Sequence, residues 1–296
     1  NGYVAYNKNN SKEGLPMDYS VSTLSIVFMS ISALAGIALP IALMIFFRKK
    51  YKTGVKTFFI GCAVFIVFAL ILEQIFHSFI LNSDAGKVIQ SNIWLYGIYG
   101  GLMAGLFEET GRFLAFKTVL KKDLINDKNA LMYGAGHGGI EAFFILVFSM
   151  VSNIIMSIML NSGAAEQLTA GITDEAQLQA LNKTFELLSA TPSGDFLMSI
   201  VERIAAAVIH IALSVLVWFA VKNRGKCFWL YPLAILLHTL VNAVAVILSR
   251  YVPSIWIVMV VLYMITAGFA AIAVKVWKIY SSNNGMVESI NTVEAQ

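Results

Sequence analysis

Glu108, Glu109 and Arg112 lie within five residues of one another in GIYGGLMAGLFEETGRFLAFKTVL, a stretch otherwise apolar enough to cross a bilayer. An ionisable side chain at the centre of such a helix costs about 2.5–3.5 kcal/mol on insertion scales, so three together are read as a functional site. Similar residues interrupt the later apolar stretches. They are His137 and Glu141 in YGAGHGGIEA, Glu202, Arg203 and His210 beyond it, and His238 with Asn242 in HTLVN. A carboxylate can serve as general base on a water while imidazoles and an amide hold that water and the developing oxyanion. Glu108, His137, His210 and His238 could instead ligate a zinc ion. Either arrangement hydrolyses a bond, and the same groups in a row could relay protons through a transporter. Glu108 is the preferred base, because Arg112 follows at i+4 on its face, whereas Glu109 points about 100° away toward Phe113.

Helices must position these groups. Counted from the basic end of each apolar stretch, Glu108, His137, His210 and His238 fall roughly 12–18 Å deep at 1.5 Å per residue. Four helices thus bring a carboxylate and three of the chain's four histidines to a common level. His137 with Glu141 and His238 with Asn242 share faces at i+4, and Arg203 with His210 at i+7. Glu202 and Arg203 could also be a neutralising pair that sets the position of their helix. Gly97, Gly101 and Gly105 form a ridge leading to the glutamates that would let a second helix approach closely. The glycines around His137 predict a broken or locally unwound helix there. His77 with Glu73, in another stretch, reads as a structural pair.

The frame is that of an all-α membrane protein. Of 296 residues, 58% are hydrophobic and 13% charged, and mean hydropathy is +0.75. Spans are expected at about 21–47, 57–81, 92–117, 129–160, 196–221, 228–249 and 254–279, a bundle of about seven transmembrane helices. Arg48, Lys49, Lys50, Lys52, Lys56, Lys117, Lys121, Lys122, Lys128, Lys222, Arg224, Lys226, Lys275 and Lys278 fall on one side. The other side has only Lys8, Lys12, Lys87, Lys183 and Arg250. That asymmetry puts the N-terminus outside and the C-terminus in the cytoplasm. It also makes the net charge of +4 a topology signal, with no nucleic-acid partner implied. The expected organisation is a polar outer tail (1–20), one multi-pass domain (21–280) and a cytoplasmic tail (281–296). The outer loop 161–195 holds an amphipathic helix, with Leu178, Leu181, Phe185 and Leu188 on one face, as a cover for the bundle or a substrate-guiding lid. No cleavable leader is read, because the first span ends in a basic cluster. Cys62 and Cys227 lack CxxC partners, so no thiolate site or disulfide is expected. HExxH, GxSxG, P-loop and dinucleotide fingerprints are absent.

EETGR, HGGIE, ER followed by His210, and HTLVN, in this order on successive helices, resemble the YhfC family of bacterial multi-pass membrane proteins, grouped with intramembrane proteases. The resemblance covers about residues 20–280. It is similar in part to the CAAX protease and bacteriocin-processing family, whose EExxxR, His and HxxxN motifs correspond to Glu108–Glu109, His137, and His238 with Asn242. In that family these residues activate and hold the hydrolytic water. Arg112 comes one position earlier than that pattern requires. The EExxK and FxxxE spacing of PrsW-type proteases fits EETGR and HGGIE better, with Glu141 as the matching acid. The resemblance implies an intramembrane endopeptidase in a bacterial cell membrane, acting on a membrane-associated peptide or protein. Catalysis is assigned to Glu108, Glu109, His137, Glu141, His210, His238 and Asn242, with Arg112, Glu202 and Arg203 in support. Glutamate-based, metal-free chemistry is preferred over zinc, since no motif has a dedicated ligand spacing. A proton-relay transporter and a non-catalytic scaffold binding a membrane-protein partner are the alternatives.

Overall fold

A computed structural model describes residues 19–293, and among them every regular element is helical. In chain order the helices are α1 (Thr23–Tyr51), α2 (Val55–Leu81), α3 (Asp84–Ser91), α4 (Ile93–Lys117), α5 (Lys128–Asn161), α6 (Ala165–Thr169), α7 (Glu175–Ala190), α8 (Asp195–Lys222), α9 (Leu230–Tyr251) and α10 (Ile255–Val293). Among the described residues, six helices are long and apolar enough to cross a membrane: α1, α2, α5, α8, α9, and α10 as far as Ser281. The remaining predicted span is α4. Its length suffices, about 37 Å at 1.5 Å per residue, but Glu108, Glu109 and Arg112 dilute its apolar character. The exterior is apolar, with Leu34, Phe79, Leu236 and Val260 more than half exposed, while Glu109, Arg112 and His137 are fully buried. A bilayer as solvent selects that distribution. The chain is a multi-pass helical membrane protein.

Helix α8 runs through the centre, with Leu213, Val217, Trp218 and Phe219 fully buried. Glycines set the spacing around it. A Cβ on Gly101 would stand 2.4 Å from the Thr239 carbonyl oxygen, and one on Gly105 2.8 Å from that of Ile235. The predicted ridge is therefore the contact surface of α4 with α9. The glycines near His137 do not unwind the chain, contrary to expectation. Lys128–Phe143 is regular α-helix, because the missing side chains are used for packing. A Cβ on Gly134 would lie 2.5 Å from Ile211 Cα of α8, and one on Gly136 2.0 Å from the Phe58 carbonyl oxygen of α2. The irregular turns lie elsewhere, as π-helical segments at Ile66–Glu73 in α2 and Phe144–Phe148 in α5.

The amphipathic helix predicted in the long loop is α7, capped by the Asp174 side chain. Phe185 and Leu188 are buried with Val21, Met29, Met150, Leu160 and Phe196, which favours the covering role. At the opposite end Asp127 accepts from Trp218 Nε1 at 3.1 Å, Lys222 Nζ at 2.6 Å and Ser281 Oγ at 3.1 Å, tying α5, α8 and α10 together. Both cysteines are free and buried. The expected outer tail lies outside the described residues through position 18. The backbone of 281–293, expected as a tail, continues α10.

Candidate active site

Four helices converge on Glu108. The glycine ridge of α4 seats it against α9, which carries His238. The small residues of α5 seat His137 against α8, which carries His210. Glu108 Oε2 accepts from His137 Nε2 at 2.8 Å and lies 3.9 Å from His210 Nδ1. Its other oxygen, Oε1, lies 3.9 Å from His238 Nε2. The His137 and His210 rings stack at 4.8 Å between centroids, and His238 meets His210 edge-on at 5.4 Å. All four residues are buried. The level predicted from counting residues is thus one contiguous cluster.

The pairing of the two glutamates differs from expectation. Arg112 Nη1 donates to both carboxylate oxygens of Glu109, and Glu108 is left to the imidazoles. Helix geometry allows both i+3 and i+4 partners, and the far side of Glu109 decides between them. Its Oε1 also bonds His238 Nδ1 at 2.8 Å. Glu109 therefore does not point away toward Phe113. It is fully buried and orients an imidazole of the site. Arg112 Nη2 donates to His210 Nδ1 at 3.2 Å.

Glu141, one turn beyond His137, links two neighbours. It pairs closely with His210 Nε2 and accepts from Arg203 Nη1 at 2.6 Å. Arg203 Nε donates to Glu202 at 2.6 Å. The Glu202–Arg203 pair read as neutralising is therefore part of a chain ending on His210. Asn242 takes no place in the carboxylate–imidazole cluster. With Glu141, Glu202, Arg203, His210 and His238 it lines a small cleft of about 50 Å³ beside it, room for a few waters.

Sequence reasoning missed Tyr133. It lies one turn before His137 on α5, fully buried, with its ring 6.0 Å from the Arg112 guanidinium and its hydroxyl unpartnered. The i−4 spacing to His137 was the available signal. Glu73 and His77 do form a pair, at 3.1 Å, and Tyr99, which no motif marked, bonds His77 Nδ1 at 2.8 Å.

An apolar-surfaced helical bundle enclosing a carboxylate and three imidazoles defines a polytopic membrane protein equipped for hydrolysis. Residues 35–262 match the YhfC intramembrane metalloprotease family. The chain is also 42% identical over 232 residues to "Uncharacterized membrane protein YhfC" of Bacillus subtilis (strain 168), covering 78% of this chain and 87% of that protein. The chain belongs to the YhfC intramembrane metalloprotease family. No solved structure matches it.

The family description names a metal, which the preference for metal-free chemistry did not anticipate. The residues present fit one. Ligand atoms of Glu108, His137 and His210 all lie within 4.8 Å of one another, a carboxylate and two imidazoles of the kind zinc accepts. His238, included in the zinc set read from sequence, lies outside this group, with Nδ1 committed to Glu109. Charge agrees as well. With neutral imidazoles, Glu108, Glu109, Glu141 and Glu202 outweigh Arg112 and Arg203 by two negative charges, the deficit that one divalent cation cancels. His137 Nδ1 is buried without a hydrogen-bond partner, so this imidazole is not locked by a second contact.

Proposed function

We propose that the protein hydrolyses peptide bonds of membrane-embedded substrates at the Glu108 cluster, with Glu108, His137 and His210 holding a zinc ion. The division of the Glu108 carboxylate carries this reading. Oε2 faces His137 and His210, while Oε1 faces His238 Nε2 across 3.9 Å. That separation is too long for a direct hydrogen bond and suits one shared water. When bound, zinc supplies Lewis-acid polarisation of the scissile carbonyl. Glu108 Oε1 takes a proton from the water as its oxygen bonds to the carbonyl carbon. The C–N bond then breaks as the proton taken up by Glu108 Oε1 passes by way of His238 Nε2, which faces it across 3.9 Å, to the departing nitrogen, leaving Glu108 and His238 as they began. Glu109 holds His238 by Nδ1 and so aims Nε2 at the reacting atoms. Glu141 lies against His210 Nε2, the position from which carboxylates commonly orient ligating imidazoles. Asn242 lines the cleft beside His238 and suits a contact to the substrate backbone.

The positive-inside asymmetry supports an outer N-terminus and a site in the cytoplasmic half of the bilayer. The experiment compares membrane-peptide products by proteomics in cells carrying wild-type protein and the Glu108→Ala variant. Loss of specific products with the variant still in the membrane supports the proposal. Unchanged products overturn it.

A further inference from the structure

Arg112 is fully buried, and its guanidinium is divided between two partners. Nη1 holds Glu109, and Nη2 donates to His210 Nδ1 at 3.2 Å. A guanidinium has no acceptor and keeps its charge inside proteins. His210 Nδ1 must therefore supply the lone pair, and the hydrogen is on Nε2, the nitrogen that lies against Glu141. With Nε2 turned to Glu141, Nδ1 is the nitrogen of His210 that faces Glu108, 3.9 Å from Oε2. It is the atom His210 has to offer a metal, and one lone pair cannot serve both a guanidinium and a metal.

We propose that Arg112 gates metal loading: its guanidinium occupies His210 Nδ1 in the metal-free site and withdraws when a divalent cation enters. The inference rests on the metal-centre reading above and deepens it. Two observations make withdrawal feasible. Arg112 Nε is buried without a partner, so the guanidinium is not locked at every position. The unpartnered Tyr133 hydroxyl, on a ring that faces the guanidinium at 6.0 Å, offers another acceptor. Electrostatics acts in the same direction. A fixed positive charge hydrogen-bonded to a ligand repels an incoming cation, and without it Glu109 would keep the His238 hydrogen bond but lose its charge partner. The gate thus keeps the metal-free site charge-paired, and it links loading to His238, which shares Glu109 with Arg112.

The test titrates Zn²⁺ by calorimetry into full-length, chelator-stripped protein in nanodiscs, as wild type, Arg112→Gln, Arg112→Lys and Glu108→Gln. Arg112→Gln is expected to bind zinc at least about tenfold more tightly than wild type, from loss of the competing charge. Arg112→Lys should fall between them, because a single nitrogen cannot bond Glu109 and His210 together as the fork does. Zinc should also raise the thermal midpoint more in Arg112→Gln than in wild type. Equal or weaker zinc binding by Arg112→Gln, with wild type binding and Glu108→Gln not, overturns the gate and leaves the metal centre standing. Absence of zinc binding in every protein overturns the metal reading and the gate with it. Should Arg112→Gln fail to fold, Arg112→Lys decides: tighter binding than wild type supports the gate, and equal or weaker binding overturns it.

Discussion

Glu73 and His77 are a carboxylate and an imidazole one turn apart on α2, whereas Glu108 meets His137, His210 and His238 from three other helices. Both groups sit in helices surrounded by apolar side chains, and both contain a short carboxylate–imidazole hydrogen bond. Their valences differ. Both nitrogens of His77 are used, Nε2 by Glu73 and Nδ1 by Tyr99. Around Glu108, His137 Nδ1, Arg112 Nε and the Tyr133 hydroxyl stay unpartnered although buried. A closed pair makes a packing contact that tolerates hydrocarbon. An open cluster leaves bonding capacity that a metal, a water or a substrate could use, which is where local rules are expected to break at a functional site. The same residue types therefore carry different meaning according to how many helices they join and what bonding capacity remains.

That contrast can be broken most sharply at Glu108. Glu108→Gln should lower peptide hydrolysis by a thousandfold or more, roughly the upper range for loss of a positioned acid–base group, with folded protein unchanged by size-exclusion chromatography. Activity within tenfold of wild type would remove Glu108 from the chemistry. Next come the groups that orient others. Glu109→Gln or Glu141→Gln should cost about 10–100-fold, the usual penalty for removing the partner of a functional imidazole, read as turnover at equal protein level. A smaller effect arises from helix spacing. Gly136→Ala places a Cβ 2.0 Å from the Phe58 carbonyl oxygen and should destabilise by about 1–3 kcal/mol through overpacking, seen as a lower thermal midpoint. The least effect belongs to the closed pair. Glu73→Gln with His77→Phe should leave turnover within about threefold and remove about 1 kcal/mol of stability or less. A turnover loss as large as that of Glu108→Gln would erase the distinction between the two regions.

Much of this was legible in the sequence because hydrocarbon is an intolerant solvent. Long apolar stretches had to be helices, and their observed ends fall within a few residues of those expected, except that α10 continues to Val293. The depth of Glu108, His137, His210 and His238 followed from helical rise alone. Partner choice was less legible. Arg112 could reach either glutamate from its helix, and His238 on α9, distant in sequence, settled the matter by engaging Glu109. The glycines around His137 were ambiguous for a similar reason. A missing side chain permits either an unwound turn or a close neighbour, and only the positions of α2 and α8 decide between them. Tyr99 and Tyr133 carry no charge, so nothing in a hydropathy pattern distinguishes them from packing aromatics.

The central claim, that Glu108, His137 and His210 form a metal centre for hydrolysis, is tested most directly by metal content measured beside activity. Purified wild-type protein in nanodiscs should hold about one zinc per chain, lose cleavage on chelation and regain it with zinc. His137→Ala combined with Glu108→Gln should lose both the metal and the cleavage. Wild-type protein that cleaves at full rate after complete metal removal, or a double variant that retains the same zinc content, would contradict the account.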